Sequence, residues 1–127
     1  MILGIGVDIV NVDRMRHWWD NPRLLHRFFH RDEIDSVLER KSGAVLSLAA
    51  RFAAKEAFGK AVGTGMRSLV LKDIQVFNSH NGNPEMRVHG TALEALKKMG
   101  GKKIHLSLTH EQEAAVAMVV IEGEGNG

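Results

Sequence analysis

The chain has no cysteine, no tyrosine and only two prolines in 127 residues. Without cysteine, disulfide frameworks, thiolate metal sites and cysteine nucleophiles are excluded together. An excess of one charge is missing too: seventeen Lys and Arg face fifteen Asp and Glu, a formal net charge of +2. Attraction to an acidic partner must therefore come from local clustering. No apolar run reaches the ~20 residues of a membrane span. The apolar start, residues 1–10, carries Asp8 and lacks a basic leader, which predicts a strand and a cytoplasmic protein. With 44% hydrophobic residues the length suits one domain, residues 1–122, followed by a glycine-rich tail at 123–127 expected to be disordered.

In the first strand Leu3, Ile5, Val7 and Ile9 alternate with Gly4, Gly6 and Asp8. The pattern predicts an apolar face on the core and an opposite face of glycines and a carboxylate, with room for a ligand. Short helices are expected over 12–20, 23–30 and 32–40, the first two parted by Asn21 and Pro22. The best-defined helix covers 44–62, where Val45, Leu48, Ala49, Phe52 and Ala53 recur at helical spacing before the stop at Gly63, Thr64 and Gly65. Strands are expected over 68–77 and 85–89 around a turn with Asn81, Gly82 and Pro84, then a helix over 91–99. Of two final strands, 104–109 alternates, whereas 114–121 is apolar throughout and expected to be buried on both faces.

A helical wheel puts Glu56 within the stripe of Val45, Ala49 and Phe52, where a lone carboxylate is costly to bury. An ion pair with Lys60, one turn on, is the simplest account of it. Asp8 on the glycine face supplies a second misplaced acid, and two carboxylates without histidine or cysteine suit a hard divalent ion such as magnesium, hence a phosphate-containing substrate. Lys60 and the amides of Gly63, Thr64 and Gly65 suit a pyrophosphate, although that turn also serves as a plain helix stop. His105, Ser107 and Thr109 share one face of their strand and His110 ends it, as a polar site or a solvated edge; zinc lacks a third suitable ligand there. Arg14, Arg16, Arg23 and Arg27 interleave with Trp18, Trp19, Phe28 and Phe29, a surface for an acidic partner or an ordinary solvated face over core aromatics.

Three stretches taken together, Gly4-Ile5-Gly6-Val7-Asp8-Ile9, Arg51-Phe52-Ala53-Ala54-Lys55-Glu56-Ala57 and Ser107-Leu108-Thr109-His110, closely resemble the bacterial holo-acyl-carrier-protein synthases, a branch of the phosphopantetheinyl transferases. The likeness covers nearly the whole chain, including Asp73-Ile74 and the Asn81–Pro84 turn. It implies an α+β domain, an antiparallel sheet packed with helices, assembled as a homotrimer with coenzyme A in clefts between subunits. It further implies that Asp8 and Glu56 hold magnesium and that Lys60 contacts phosphate oxygens near the leaving group. By the same resemblance Arg51 and His110 bind the nucleotide phosphates, with His110 reaching across from the adjacent subunit. Gly63, Thr64 and Gly65 would line the pyrophosphate, Ser107 and Thr109 the nucleotide cleft, and Asn81, Gly82 and Pro84 the adenine. Arg14, Arg23, Arg27 and Trp18 would receive the acyl carrier protein, with no role for nucleic acid or membrane.

The expected reaction is transfer of 4'-phosphopantetheine from coenzyme A to a carrier serine, yielding adenosine 3',5'-bisphosphate in the service of fatty acid biosynthesis. Larger relatives carry a third carboxylate where this chain has Val10, so water is expected to complete the metal's coordination, and Glu111 follows His110 where relatives often have a hydroxyl or another polar residue. Two other readings stand beside this one: a non-catalytic trimeric module for an acidic protein or nucleic acid, and a hydrolase of coenzyme A or another nucleotide.

Overall fold

In a computed structural model, which describes residues 1–65 and 67–125, five strands and five α-helices follow one another along the chain. Strand β1 (Ile2–Asn11) leads into α1 (Val12–Trp19), α2 (Pro22–Phe28) and α3 (Arg31–Leu38). Each of these short helices has a local start signal. Asn11 and Asn21 accept N-terminal amide hydrogens with their side chains, Pro22 opens α2, and His30 with Glu33 forms a reciprocal cap on α3. The long α4 (Ala44–Ala61) follows, then β2 (Ile74–Asn78), β3 (Pro84–Val88), α5 (Gly90–Lys98), β4 (Gly101–His110) and β5 (Ala114–Gly123).

β5 is the middle of a three-stranded antiparallel sheet in the order β1-β5-β4, and β2 and β3 form a separate hairpin. The second strand begins at Ile74 rather than at 68, because Leu71–Asp73 is a 3-10 turn. Asp73 accepts hydrogen bonds from the Thr91 amide at 2.8 Å and the Thr91 hydroxyl at 2.7 Å, fastening that turn to the start of α5. The expected tail at 123 gives way to strand: Gly123 ends β5 and its amide donates to the Met1 carbonyl at 2.8 Å. Of the remaining tail, 126–127 lie outside the described residues.

The faces of β1 are reversed from the expectation. Gly4, Gly6, Asp8 and Val10 turn toward α4, in register with Ile121, Val119, Ala117 and Ala115 of β5. A Cβ on Gly6 would lie 1.9 Å from the Ala57 carbonyl oxygen, and one on Gly4 2.0 Å from that of Ala61, so the glycines are there for close approach of the helix. Ile5, Val7 and Ile9 point outward and are 59%, 51% and 67% exposed. β5 is likewise buried on one face alone, since Met118 on the other is exposed.

α4 is buried on nearly every side, which is why its apolar residues surround rather than stripe it. Its fully buried charge is Lys55, not Glu56. The Lys55 ammonium donates to Glu33 Oε1 at 2.6 Å, to the Leu71 carbonyl at 3.0 Å and to the Ile74 carbonyl. Removing one member of such a pair leaves an uncompensated buried charge, a loss of about 3–5 kcal/mol. Burial lowers the Lys55 pKa from its ordinary value, with Glu33 acting against the fall.

Candidate active site

β1 and α4 lie against each other, so Asp8 and the Glu56–Lys60 turn of the helix meet at one place. Lys60 Nζ donates to Asp8 Oδ1 at 3.0 Å and to the Val7 carbonyl at 3.1 Å, with Asp8 mostly covered and Lys60 half exposed. The expected Glu56–Lys60 pair is thus replaced by an Asp8–Lys60 pair across 52 residues of chain. Glu56 is half-buried, and its pKa is raised, first by loss of solvent and next by the Asp8 charge, while Arg14 and Lys60 pull it down. Two carboxylates thus share one patch of space with the Lys60 ammonium and the Arg14 guanidinium.

Among the described residues no cluster of three His, Cys, Asp or Glu side chains could hold a metal. Two hard carboxylate donors nevertheless fit a magnesium-type ion, which keeps waters and takes substrate oxygens for its other positions. Val10, two residues after Asp8, is buried in the core and offers no donor.

A cleft of about 540 Å³ brings together Arg51, His110, Arg40, Asn78 and Pro84 with the serines of the α4 entrance, Ser42 and Ser47. Arg51 is buried and donates through Nη2 to Ser36 Oγ at 3.0 Å. Its Nε is, among the described residues, the buried side-chain nitrogen left without a partner, a donor suited to a phosphate oxygen. Burial lowers the Arg51 pKa, Glu33 opposes that fall and Arg40 adds to it. His110 stands on the helix-facing side of the sheet and lines this cleft together with Arg51.

Other expected site residues are more scattered. Ser107 and Thr109 occupy the outward face of the sheet, paired in register with Met118 and Val116, and do not line the Arg51 cleft. Asn81 and Gly82 form the exposed β2–β3 turn, and from that stretch only Pro84 reaches the cleft. Gly63 and Gly65 adopt positive φ, 85° and 61°, just past α4 and the Lys60 turn, and Thr64 opens on a second cavity of about 440 Å³ beside α5.

Arginines and aromatic rings are in contact along α1 and α2. The Arg14 guanidinium lies 5.8 Å from the Trp18 ring centre and 5.1 Å from that of Phe52, and Trp18 stacks on Phe28 at 5.0 Å. Arg27 covers Phe28 at 5.2 Å, and Arg23 is exposed beside it on α2. Phe29 by contrast is fully buried, as core. Because Arg14 also acts electrostatically on Glu56, this basic surface borders the two carboxylates. Sequence reasoning missed Lys55, Glu33 and Arg40; the adjacency of Lys55 to Glu56 was visible, but its burial was not.

The family model for the 4'-phosphopantetheinyl transferase superfamily matches residues 4–119. A holo-[acyl-carrier-protein] synthase of Treponema denticola is 56% identical over 123 residues, which are 97% of this chain and all of that one. Among solved structures, the holo-[acyl-carrier-protein] synthase of Neisseria meningitidis superimposes with a TM-score of 0.85 at 34% identity, covering 96% of this chain and 99% of its own. That of Bacillus anthracis, solved in complex with CoA (3',5'-ADP), gives 0.82 at 35% identity over 98% and 99%.

Proposed function

Since this chain belongs to the 4'-phosphopantetheinyl transferase superfamily, we propose that it is a holo-[acyl-carrier-protein] synthase, moving 4'-phosphopantetheine from coenzyme A to a serine of apo acyl carrier protein. The observation that carries this reading is the meeting of Asp8, Glu56 and Lys60 beside the Arg14 surface. The serine oxygen forms a bond to the β-phosphorus of coenzyme A, the bond from that phosphorus to the bridging oxygen breaks, and adenosine 3',5'-bisphosphate leaves. The serine proton passes to a carboxylate oxygen of the Asp8–Glu56 pair, placed for general base work. Lys60 offers its ammonium to the oxygen on which negative charge grows. Asp8 and Glu56 would also hold magnesium, which when bound supplies charge neutralisation at the pyrophosphate.

Arg51, with its unpartnered Nε, and His110 bind nucleotide phosphate in the 540 Å³ cleft, and Pro84 borders the adenine. Gly63, Thr64 and Gly65 extend the pyrophosphate site beyond Lys60. Arg14, Arg23, Arg27 and Trp18 receive the acidic carrier. The outward face of Ile5, Val7, Ile9 and Met118 is the kind of surface a second copy covers, which supports a homotrimer. Ser107 and Thr109 on that face then belong to a neighbour's cleft. Among the described residues no helix is long and apolar enough to cross a membrane, and we place the enzyme in the cytoplasm, serving fatty acid biosynthesis as one domain over 1–122.

Intact-mass analysis of apo carrier protein after incubation with the enzyme, coenzyme A and magnesium tests the proposal. A gain of one phosphopantetheine is expected, lost with chelator and with Asp8→Asn or Glu56→Gln. Carrier binding without mass gain would favour the non-catalytic module, and breakdown of coenzyme A without carrier would favour the hydrolase.

A further inference from the structure

We propose that Lys55, tied to Glu33, is a positioning residue for this reaction: it sets the rotation of α4 about its own axis and so directs Glu56 and Lys60 at Asp8. The inference rests on the reading of Asp8 and Glu56 given above.

Over its first half β1 meets α4 through Gly4 and Gly6, backbone against backbone at Ala61 and Ala57, and the strand's side-chain contacts with the helix come further on, from Asp8 and Val10. Ala49, Ala53, Ala54 and Ala57 are buried around the helix and have no rotamers to key into a partner.

Arg51 and Lys60 each make directional contacts from α4, but the most deeply buried ones come from Lys55, whose ammonium is held by Glu33 at 2.6 Å, by the Leu71 carbonyl at 3.0 Å and by the Ile74 carbonyl, with the Phe29 ring centre 5.1 Å away. Glu33 is fixed in turn, its Oε1 accepting from the His30 amide at 3.0 Å and its Oε2 from the Val76 amide at 3.1 Å. Neighbouring residues on a helix project about 100° apart, so anchoring residue 55 from α3 and β2 leaves residue 56 a single heading. Because the pair also satisfies the His30 and Val76 amides and the Leu71 and Ile74 carbonyls, it ties α4 to α3 and β2 in one geometry, which a non-directional apolar pair would not do.

The test compares wild type with Lys55→Met/Glu33→Gln, which removes both charges together, and with Glu33→Asp, which keeps the charge and shortens the tether. Folding is checked by circular dichroism, transfer by kcat and KM, and the site itself by the Mn2+ dissociation constant in the presence of coenzyme A, read by electron paramagnetic resonance. Expected in the folded double variant are a kcat lower by about tenfold or more, a KM for carrier within about twofold, and Mn2+ binding weaker by about fivefold or more, as misplacement of ligands by a fraction of an ångström would give. Glu33→Asp moves kcat and Mn2+ affinity in the same direction, and it decides the matter if the double variant does not fold. Wild-type kcat, or a lower kcat with wild-type Mn2+ affinity, overturns the proposal. If the wild type itself transfers nothing, the functional reading fails while the Mn2+ comparison still decides the positioning.

Discussion

Gly6→Ala adds one methyl group where β1 rests on α4. An ideal Cβ there lies 1.9 Å from the Ala57 oxygen, 2.8 Å from the Ala61 nitrogen and 2.9 Å from the Ala57 carbonyl carbon, all backbone atoms that cannot step aside. Relief to the 3.0 Å floor of real Cβ contacts takes about 1.1 Å, the difference between 3.0 and 1.9 Å, so strand and helix must part by that much. Overpacking of this kind costs about 1–3 kcal/mol, and unyielding backbone puts this case at the upper end. Asp8, two residues along the strand, moves away from Glu56 and Lys60, and a misplacement of about 1 Å lowers a rate by about a hundredfold. Urea unfolding followed by circular dichroism reads the first effect, and the initial rate of holo-carrier formation reads the second. Gly43→Ala is the control for stability, since its nearest neighbour would be the Arg40 Cβ at 3.9 Å and its φ of −90° suits any residue. A Gly6→Ala enzyme with wild-type rate and stability within about 0.5 kcal/mol would refute the close-contact argument.

Glu56→Gln should unfold at a higher temperature than wild type in chelator at neutral pH while transferring nothing. With its folded-state pKa raised, Glu56 costs stability once ionised; the variant's advantage should appear as pH rises through the raised value and vanish below the ordinary carboxylate range, and a flat difference from pH 3 to 8 would contradict this. Arg23→Glu with Arg27→Glu should raise KM for the carrier at least about tenfold and leave KM for coenzyme A within about twofold, because both arginines are exposed on α2 away from the Arg51 cleft. Val7→Glu, on a side chain 51% exposed in one chain, should shift sedimentation equilibrium from trimer to monomer; a trimer as tight as wild type would place the interface elsewhere.

Much of the fold was legible because its signals are local. Asn21-Pro22 marks a helix break, helical spacing marks α4, and glycine with proline marks the β2–β3 turn. Alternation in β1 gave the strand but not the sense of its faces, since a period of two is blind to which side meets the core. The apolar side looked like the interior, yet Gly4 and Gly6 match Ala61 and Ala57 on the helix, and small residues facing small residues are the sign of close backbone approach. For the site, Asp8 and Glu56 were legible as acids out of place, whereas the Asp8–Lys60 pair depends on tertiary contact. Lys55 was hidden by the wheel itself: it falls at the edge of the apolar stripe, beside Leu48, where a lysine is ordinarily taken to reach for solvent, whereas α3 and β2 cover it completely. Alternation placed His105, Ser107 and Thr109 on one exposed side of β4, but that side of the sheet also carries Ile5, Val7, Ile9 and Met118 of the other strands, which the pattern within one strand does not show.

A single helix carries Arg51, Glu56 and Lys60, and its pitch makes it a ruler. At about 1.5 Å per residue the first and last stand about 13 Å apart along the axis, a graduation that no side-chain flexibility can reset. Point changes along this stretch alter one mark at a time, but inserting or deleting a single residue between 51 and 60 would swing every later mark by about 100° and scramble the gauge. An added or removed residue is therefore better tolerated in a connection such as 39–43 before the helix than anywhere between Arg51 and Lys60.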